Sequence, residues 1–233
     1  MTTTDESGPP TGEKVLPFYI VCDESASMYD NGGIDAINQS LPELHATISA
    51  DPLVNDKTRI ALIAFSSTAE VLVPLAAAAD IGEMPGVDAD GATDYGSAFQ
   101  LLKDVIDEDV AALRNTGYQV LRPTVFFISD GEPTVLGWET SHTELTDKSL
   151  NPWAANIVAF GVDCANPDTI KKVATVRGGA FESTKGTAPG EALTEIIPAI
   201  AFSIVASGQK DDPELVLPTS GEGFSVIPLD VLG

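Results

Sequence analysis

The sequence predicts an α/β fold with a mainly parallel central sheet that is covered by helices on both faces. Short apolar runs rich in Val, Ile and Phe alternate with longer segments whose apolar residues recur every three or four positions. This alternation is typical of strands and amphipathic helices in turn. Two clusters of Asp and Ser directly follow such apolar runs, where open α/β sheets bind ligands.

The predicted strands are the six short apolar runs. The second and third are separated only by Ser66-Ser67, and such a short turn makes them antiparallel neighbours. The predicted strands span residues 15–22, 59–65, 69–75, 124–129, 156–162 and 180–183.

Each predicted helix carries one apolar face. Pro42 lies inside the first helical pattern and is expected to kink that helix or to delay its start. The apolar residues of the first two helices are Ile34, Ile37, Leu41, Leu44 and Ile48, followed by Phe99, Leu102, Ile106, Val110 and Leu113. Three further helices are predicted over residues 138–146, 168–177 and 191–207.

The chain is expected to form one domain with two flanking segments. Residues 1–14 are small and polar, which is typical of disorder. Residues 15–207 hold every predicted strand and helix. Residues 208–233 contain turn residues and two short apolar patches, and are expected to form either a tail or an appendage packed on the domain.

The composition is strongly acidic, with 35 Asp and Glu against 12 Lys and Arg and a formal charge of −23. Such a field repels nucleic acid and anionic membranes, so neither is expected as a partner. It favours metal ions or a cationic partner, although solubility or adaptation to salt explains the charge equally well.

The expected location is the cytoplasm. Residues 1–14 lack the apolar core of a secretion signal. The longest apolar stretch, residues 196–206, is about half the length that crosses a bilayer. Cys22 and Cys164 both follow apolar strands and are expected to be buried, reduced thiols.

Five oxygen-bearing residues form the candidate site, and they lie in three separate segments. They are Asp23, Ser25, Ser27, Thr93 and Asp130. Two carboxylates and three hydroxyls are hard oxygen ligands, which suit Mg²⁺, with Mn²⁺ or Ca²⁺ as alternatives. These residues could instead be ordinary turn formers, but the complete set at strand ends favours a metal site.

This set resembles the metal-ion-dependent adhesion site of the von Willebrand factor A domain. That site has the pattern Asp-x-Ser-x-Ser, then a Thr in a Gly-flanked loop, then an Asp before Gly, and all its positions are filled here. The resemblance covers residues 15–207. It implies a doubly wound, Rossmann-like sheet of six strands in the order 3-2-1-4-5-6, with strand 3 antiparallel at an edge.

The resemblance also implies the role of each ligand. The hydroxyls of Ser25 and Ser27 would bind the metal directly, and Thr93 would join or leave the coordination sphere between states. Asp23 and Asp130 would act directly or through water.

Within the family, the chain is most similar to the bacterial TerY-like group. Residues 16–21, 50–52, 59–65 and 122–134 carry this similarity, and the last segment is the most specific. The similarity implies a signalling or assembly component linked to tellurium resistance and stress. Members of the group are often encoded beside a protein kinase and a metal-dependent phosphatase, which are candidate partners.

The sequence favours a binding function over an enzymatic one. A cation that faces only two protein carboxylates retains affinity for a third, which an acidic residue of a protein partner can supply. The alternative is a Mg²⁺-dependent phosphohydrolase. Against it, the chain has no P-loop pattern, no Lys or Arg within the three motifs, and no His near Ser25 in sequence.

Overall fold

The structure is a computed structural model that describes residues 12–228. The strands are β1 (Lys14–Asp23), β2 (Thr58–Phe65), β3 (Ala69–Ala76), β4 (Gln119–Val120), β5 (Thr124–Ser129), β6 (Asn156–Gly161), β7 (Ala180–Ser183) and β8 (Phe224–Val226). The α-helices are α1 (Ala26–Asp30), α2 (Gly33–Ser49), α3 (Pro52–Lys57), α4 (Tyr95–Asn115), α5 (Trp138–Thr146), α6 (Pro167–Val173) and α7 (Pro189–Gly208).

The sheet has the predicted order and two strands more than predicted. Its order within the described residues is β3-β2-β1-β5-β6-β7-β8, and β4 pairs with the start of β1. The strands β1, β2, β5, β6 and β7 are parallel, whereas β3 and β8 lie antiparallel at the two edges. The prediction of six strands was therefore wrong in number, because β4 and β8 are only two and three residues long and show no periodicity.

Helices cover both faces of the sheet because side chains alternate along each buried strand. On β1, Phe18 and Ile20 pack in one apolar core together with α2 and α7. Tyr19 and Val21 pack in a second core with α4 and α5. The mainly parallel sheet with two covered faces, predicted from the sequence, is confirmed.

Three helices differ in extent from their predictions, and one of them, α7, is slightly longer at Pro189–Gly208 than the predicted 191–207. The first long helix, α2, begins at Gly33, well before Pro42, so its start is not delayed. The sixth helix ends at Val173 rather than at residue 177.

The helix α7 is long and apolar enough to cross a membrane by length and composition. However, most of its apolar residues, including Leu193, Ile196 and Ile200, are buried in the core that α2 shares with the sheet. It is therefore placed as a core helix of the domain.

The chain after α7 packs along that helix and then joins the sheet. Val216 N donates to Ser207 Oγ at 2.9 Å, and Gly223 N donates to Glu195 Oε2 at 2.8 Å. The next residue, Phe224, begins β8, which pairs with β7. Residues 1–11, to which most of the predicted disorder applies, and residues 229–233 lie outside the described part of the chain.

The two cysteines differ in environment, contrary to the prediction that both are buried. Cys22 is buried within β1, but Cys164 is exposed. The reason is the turn after β6, where Asp163 takes a left-handed conformation with φ 53° and the chain leaves the sheet.

Candidate metal centre

The residues predicted to bind metal lie at one edge of the sheet, where the two central strands end. Asp23 is the last residue of β1, and Asp130 directly follows β5. These strands are parallel neighbours, with Cys22 opposite Ile128, so their carboxyl ends meet at the same level. Ser25 precedes α1 and Ser27 lies in its first turn, which places both hydroxyls above this edge.

Four of the five residues share one hydrogen-bond network. Ser25 N donates to Asp23 Oδ1 at 2.9 Å, and the hydroxyls of Ser25 and Ser27 lie 3.1 Å apart. The Ser27 hydroxyl donates to Asp130 Oδ1 at 2.9 Å. Asp23, Ser25 and Asp130 are buried, whereas Ser27 is exposed, so the cluster opens to solvent on the side of α1.

The fifth residue, Thr93, lies beside this network in the loop before α4. Its backbone is held by Thr134, because Thr93 N donates to Thr134 Oγ1 at 3.2 Å and Thr134 N donates to Thr93 O at 2.8 Å. The Thr93 hydroxyl lies 3.9 Å from the position that a Cβ at Gly131 would take. Thr93 is therefore positioned against the loop that follows Asp130.

Three residues that the sequence analysis did not single out support the site. Asn31 Nδ2 donates to Asp130 Oδ2 at 2.6 Å, so Asn31 and Ser27 hold opposite oxygens of this carboxylate. The Ser129 hydroxyl donates to Asp23 Oδ2 at 2.5 Å, and the Tyr95 hydroxyl donates to Gly131 O at 2.9 Å. Ser129 could have been found from its place beside Asp130. Asn31 could not, because 99 residues separate it from Asp130.

The carboxylates of the site are harder to ionise than free ones. Burial raises the pKa of Asp23 to about 6, although hydrogen bonds from Ser129 and Ser25 oppose this rise. Burial likewise raises the pKa of Asp130, against hydrogen bonds from Ser27 and Asn31. The neighbouring Glu24 has its pKa raised to about 7 by partial burial and by the surrounding acidic residues.

We expect Asp23 to make the metal-free protein less stable as the pH rises. Its pKa in the folded protein exceeds the ordinary value of 3.8, so its contribution to stability is present below about pH 4 and is lost as the pH rises through about 6. The loss corresponds to roughly 3 kcal/mol. In the presence of chelator, the Asp23→Asn variant should therefore have a larger free energy of unfolding than the unsubstituted protein at pH 8, but not at pH 4. Urea denaturation would measure both free energies. If the variant and the unsubstituted protein differed by the same amount at pH 4 and pH 8, the raised pKa of Asp23 would be contradicted.

The donor set fits a hard divalent cation. Within the described residues, the hydrogen-bond partners of Asp23 and Asp130 are neutral hydroxyl, amide and backbone groups. Buried carboxylates are usually paired with a charge or bound to a metal. Residues 12–228 contain no group of three or more His, Cys, Asp and Glu side chains arranged to hold a metal. A cation here would therefore combine the two carboxylates with hydroxyl oxygens.

The fold and the site together define the class of domain. A doubly wound sheet carries hydroxyls and carboxylates at the ends of its two central strands. Residues 18–132 match the family model of the von Willebrand factor type A domain. The chain thus carries a von Willebrand factor type A domain, a fold used by adhesion and protein-interaction modules.

Solved structures with the same fold come from diverse sources. A von Willebrand factor type A protein from Catenulispora acidiphila has 15% identity and a TM-score of 0.56 over 82% of this chain and 43% of its own. The vWF domain of the type V pili tip protein Mfa5 from Porphyromonas gingivalis has 10% identity and a TM-score of 0.57 over 85% of this chain and 97% of its own. At such identities the similarity shows the fold alone.

A third similar structure is proximal thread matrix protein 1 from the mussel byssus, with a zinc-occupied MIDAS motif. It has 13% identity and a TM-score of 0.55 over 83% of this chain. This chain spans about half the length of the mussel protein, at 48%. No curated protein matches the sequence.

Proposed function

We propose that this chain is a non-enzymatic, metal-dependent binding module that captures an acidic residue of a protein partner. The ligands proposed for the cation are Asp23, Ser25, Ser27, Thr93 and Asp130. The proposed cation is Mg²⁺, with Mn²⁺ or Ca²⁺ as alternatives. The observation that carries the proposal is the hydrogen-bond network in which Ser25, Ser27 and Asp130 converge at the strand ends.

The geometry of these residues supports capture rather than bond cleavage. Asp130 is fixed through both of its oxygens by Ser27 and Asn31, and Asp23 is fixed by Ser25 and Ser129. A divalent cation, when bound, would supply the positive charge that a third carboxylate needs. The exposed side of the cluster, at Ser27, is where that carboxylate would enter.

The surroundings of the two histidines also support a non-enzymatic role. His45 Nε2 lies 2.8 Å from Ala78 O, and His142 Nε2 lies 2.9 Å from Val173 O. His142 also packs against the rings of Phe99 and Trp138. Both rings therefore have structural partners away from Ser25, the residue that a base would have to activate. No observation favours the phosphohydrolase, so it is not proposed as a second function.

The cellular role that we propose follows from the TerY-like similarity. The module would serve in bacterial stress or tellurium-resistance signalling, in the cytoplasm, with a kinase and a phosphatase encoded nearby as candidate partners. The charge of −23 disfavours nucleic acid and membranes as partners. It also slows the approach of an acidic partner, so association should be faster when salt screens the repulsion.

The proposal is tested by selecting binders from a displayed library of random peptides in the presence of Mg²⁺. Selected peptides should share one Asp or Glu, because the proposed ligand set includes only two carboxylates and leaves the cation with affinity for a third. Chelator should abolish their binding, and Thr93→Ala should weaken it by about tenfold, as loss of a group supporting a metal site does. Thr143→Ala, an exposed threonine on α5, is the matched control. Peptides that lack an acidic residue, or that bind equally in chelator, would contradict the proposal.

A further inference from the structure

Three large apolar side chains are exposed beside the candidate site. Tyr29 is 72% exposed and lies two residues after Ser27 on α1, while Val135 and Leu136 are 46% and 94% exposed in the loop that follows Asp130. We call these three residues the apolar rim. They lie in the two segments that flank the site, and exposed apolar side chains around a site are a feature of interaction surfaces.

The loop that carries Val135 and Leu136 is anchored at both of its ends. Before Val135, Thr134 is bound to the backbone of Thr93. After Leu136, Trp138 is buried and packs edge-on against Tyr95, with ring centroids 5.7 Å apart. The exposure of Leu136 is therefore built into the loop. The rim suits an acidic ligand that has bulky apolar neighbours.

The chain itself contains one segment with this chemistry. Leu229-Asp230-Val231-Leu232 places a carboxylate between aliphatic side chains, and Asp230 is the only one of the 35 acidic residues with Leu, Ile or Val on both sides. This segment lies outside the described residues, so its match to the rim rests on its sequence.

The last described strand runs away from the edge of the sheet that carries the site. The strand β8 runs antiparallel to β7, and Ile227 N bonds to Ala180 O, so the chain there runs away from the edge that carries the site. Three strand spacings, roughly 14 Å, separate β8 from β5. Asp230 is three residues beyond Ile227, a reach of roughly 11 Å at most.

We propose that the site binds Asp230 of a second copy of this chain, with Leu229 and Val231 against the apolar rim. This inference rests on the proposed metal-dependent capture of an acidic residue. The site of one copy would bind the segment of the next, which is a heterologous contact that extends into open assemblies unless its rotation closes a ring. Because each copy carries a charge of −23, added salt should strengthen the assembly by screening the repulsion.

The first experiment measures the molar mass of the full chain by light scattering over a range of protein concentrations. In Mg²⁺ and moderate salt the mass should rise with concentration, and it should fall to that of a monomer in chelator. Asp230→Asn should abolish the rise. Glu222→Gln, at an exposed acidic residue flanked by glycines, should leave it unchanged. A constant monomer mass in Mg²⁺, or a rise that persists in Asp230→Asn, would overturn the inference.

The second experiment measures binding of a labelled peptide with the sequence of residues 224–233 to the full chain carrying Asp230→Asn. Leu136→Ser should weaken this binding by about tenfold, the value of burying one such side chain. It should leave Mg²⁺ binding intact. Leu53→Ser, at an exposed leucine on α3, is the control. Equal binding to the Leu136→Ser and Leu53→Ser variants would exclude the rim.

The two proposals fail in different ways. If calorimetry detects no Mg²⁺ binding at the site, the proposed function itself is wrong. If Mg²⁺ binds but neither self-association nor peptide binding depends on Asp230, only the assignment of the second copy is wrong.

Discussion

Replacing Asp23 and Asp130 together by asparagine is expected to abolish Mg²⁺ binding, with the Kd raised by more than roughly 100-fold. Even neighbours of metal ligands contribute roughly 10- to 100-fold to affinity, and these two residues supply both carboxylates of the network. Asparagine keeps the shape of each side chain, so the hydrogen bonds around the site can re-form. Calorimetry with Mg²⁺ and Mn²⁺ would measure the change.

The matched control for this double substitution is Asp88→Asn with Asp90→Asn. Both residues add to the electrostatic field around Glu24 but lie outside the network of the five candidate ligands. This control removes the same two charges, and it should change the affinity for Mg²⁺ only slightly. Equal losses in the two variants would mean that the general field, rather than the assigned ligands, holds the cation.

The largest effect on stability is expected for Phe127→Ala, which should lower the free energy of unfolding by about 3–5 kcal/mol. Phe127 is fully buried on β5. Its ring centroid lies 5.1 Å from that of Phe65, 4.9 Å from Tyr95 and 5.3 Å from Phe99. Removing the ring leaves a cavity where β2, α4 and β5 meet, and urea denaturation would measure the cost.

Phe202→Ala is the control for this cavity. Phe202 lies on α7 but is 58% exposed, so its loss should change the free energy of unfolding by less than about 1 kcal/mol. A small effect at Phe127 as well would mean that the aromatic cluster repacks after truncation. Because Tyr95 in the same cluster bonds to Gly131 O, the Phe127 variant should also bind Mg²⁺ less tightly.

The sequence patterns alone determined the class of fold, whereas the order of the main strands was implied by the family resemblance. Long apolar patterns mark β1, β2, β5, α2 and α4, and each extends over six or more residues. Such a pattern is a local property, so it can be recognised within a short window of the sequence. The five candidate ligands were also readable, because each lies in a short segment next to a predicted strand or in a Gly-flanked loop.

Tertiary structure alone decided which residues support those ligands. Asn31 meets Asp130, and Tyr95 meets Gly131, only because α1, α4 and β5 converge at one edge of the sheet. The same applies to β8, whose three residues form a strand because β7 offers an unpaired edge. Local patterns encode which elements form, whereas contacts between distant residues depend on how those elements pack, and no window of the sequence contains both partners.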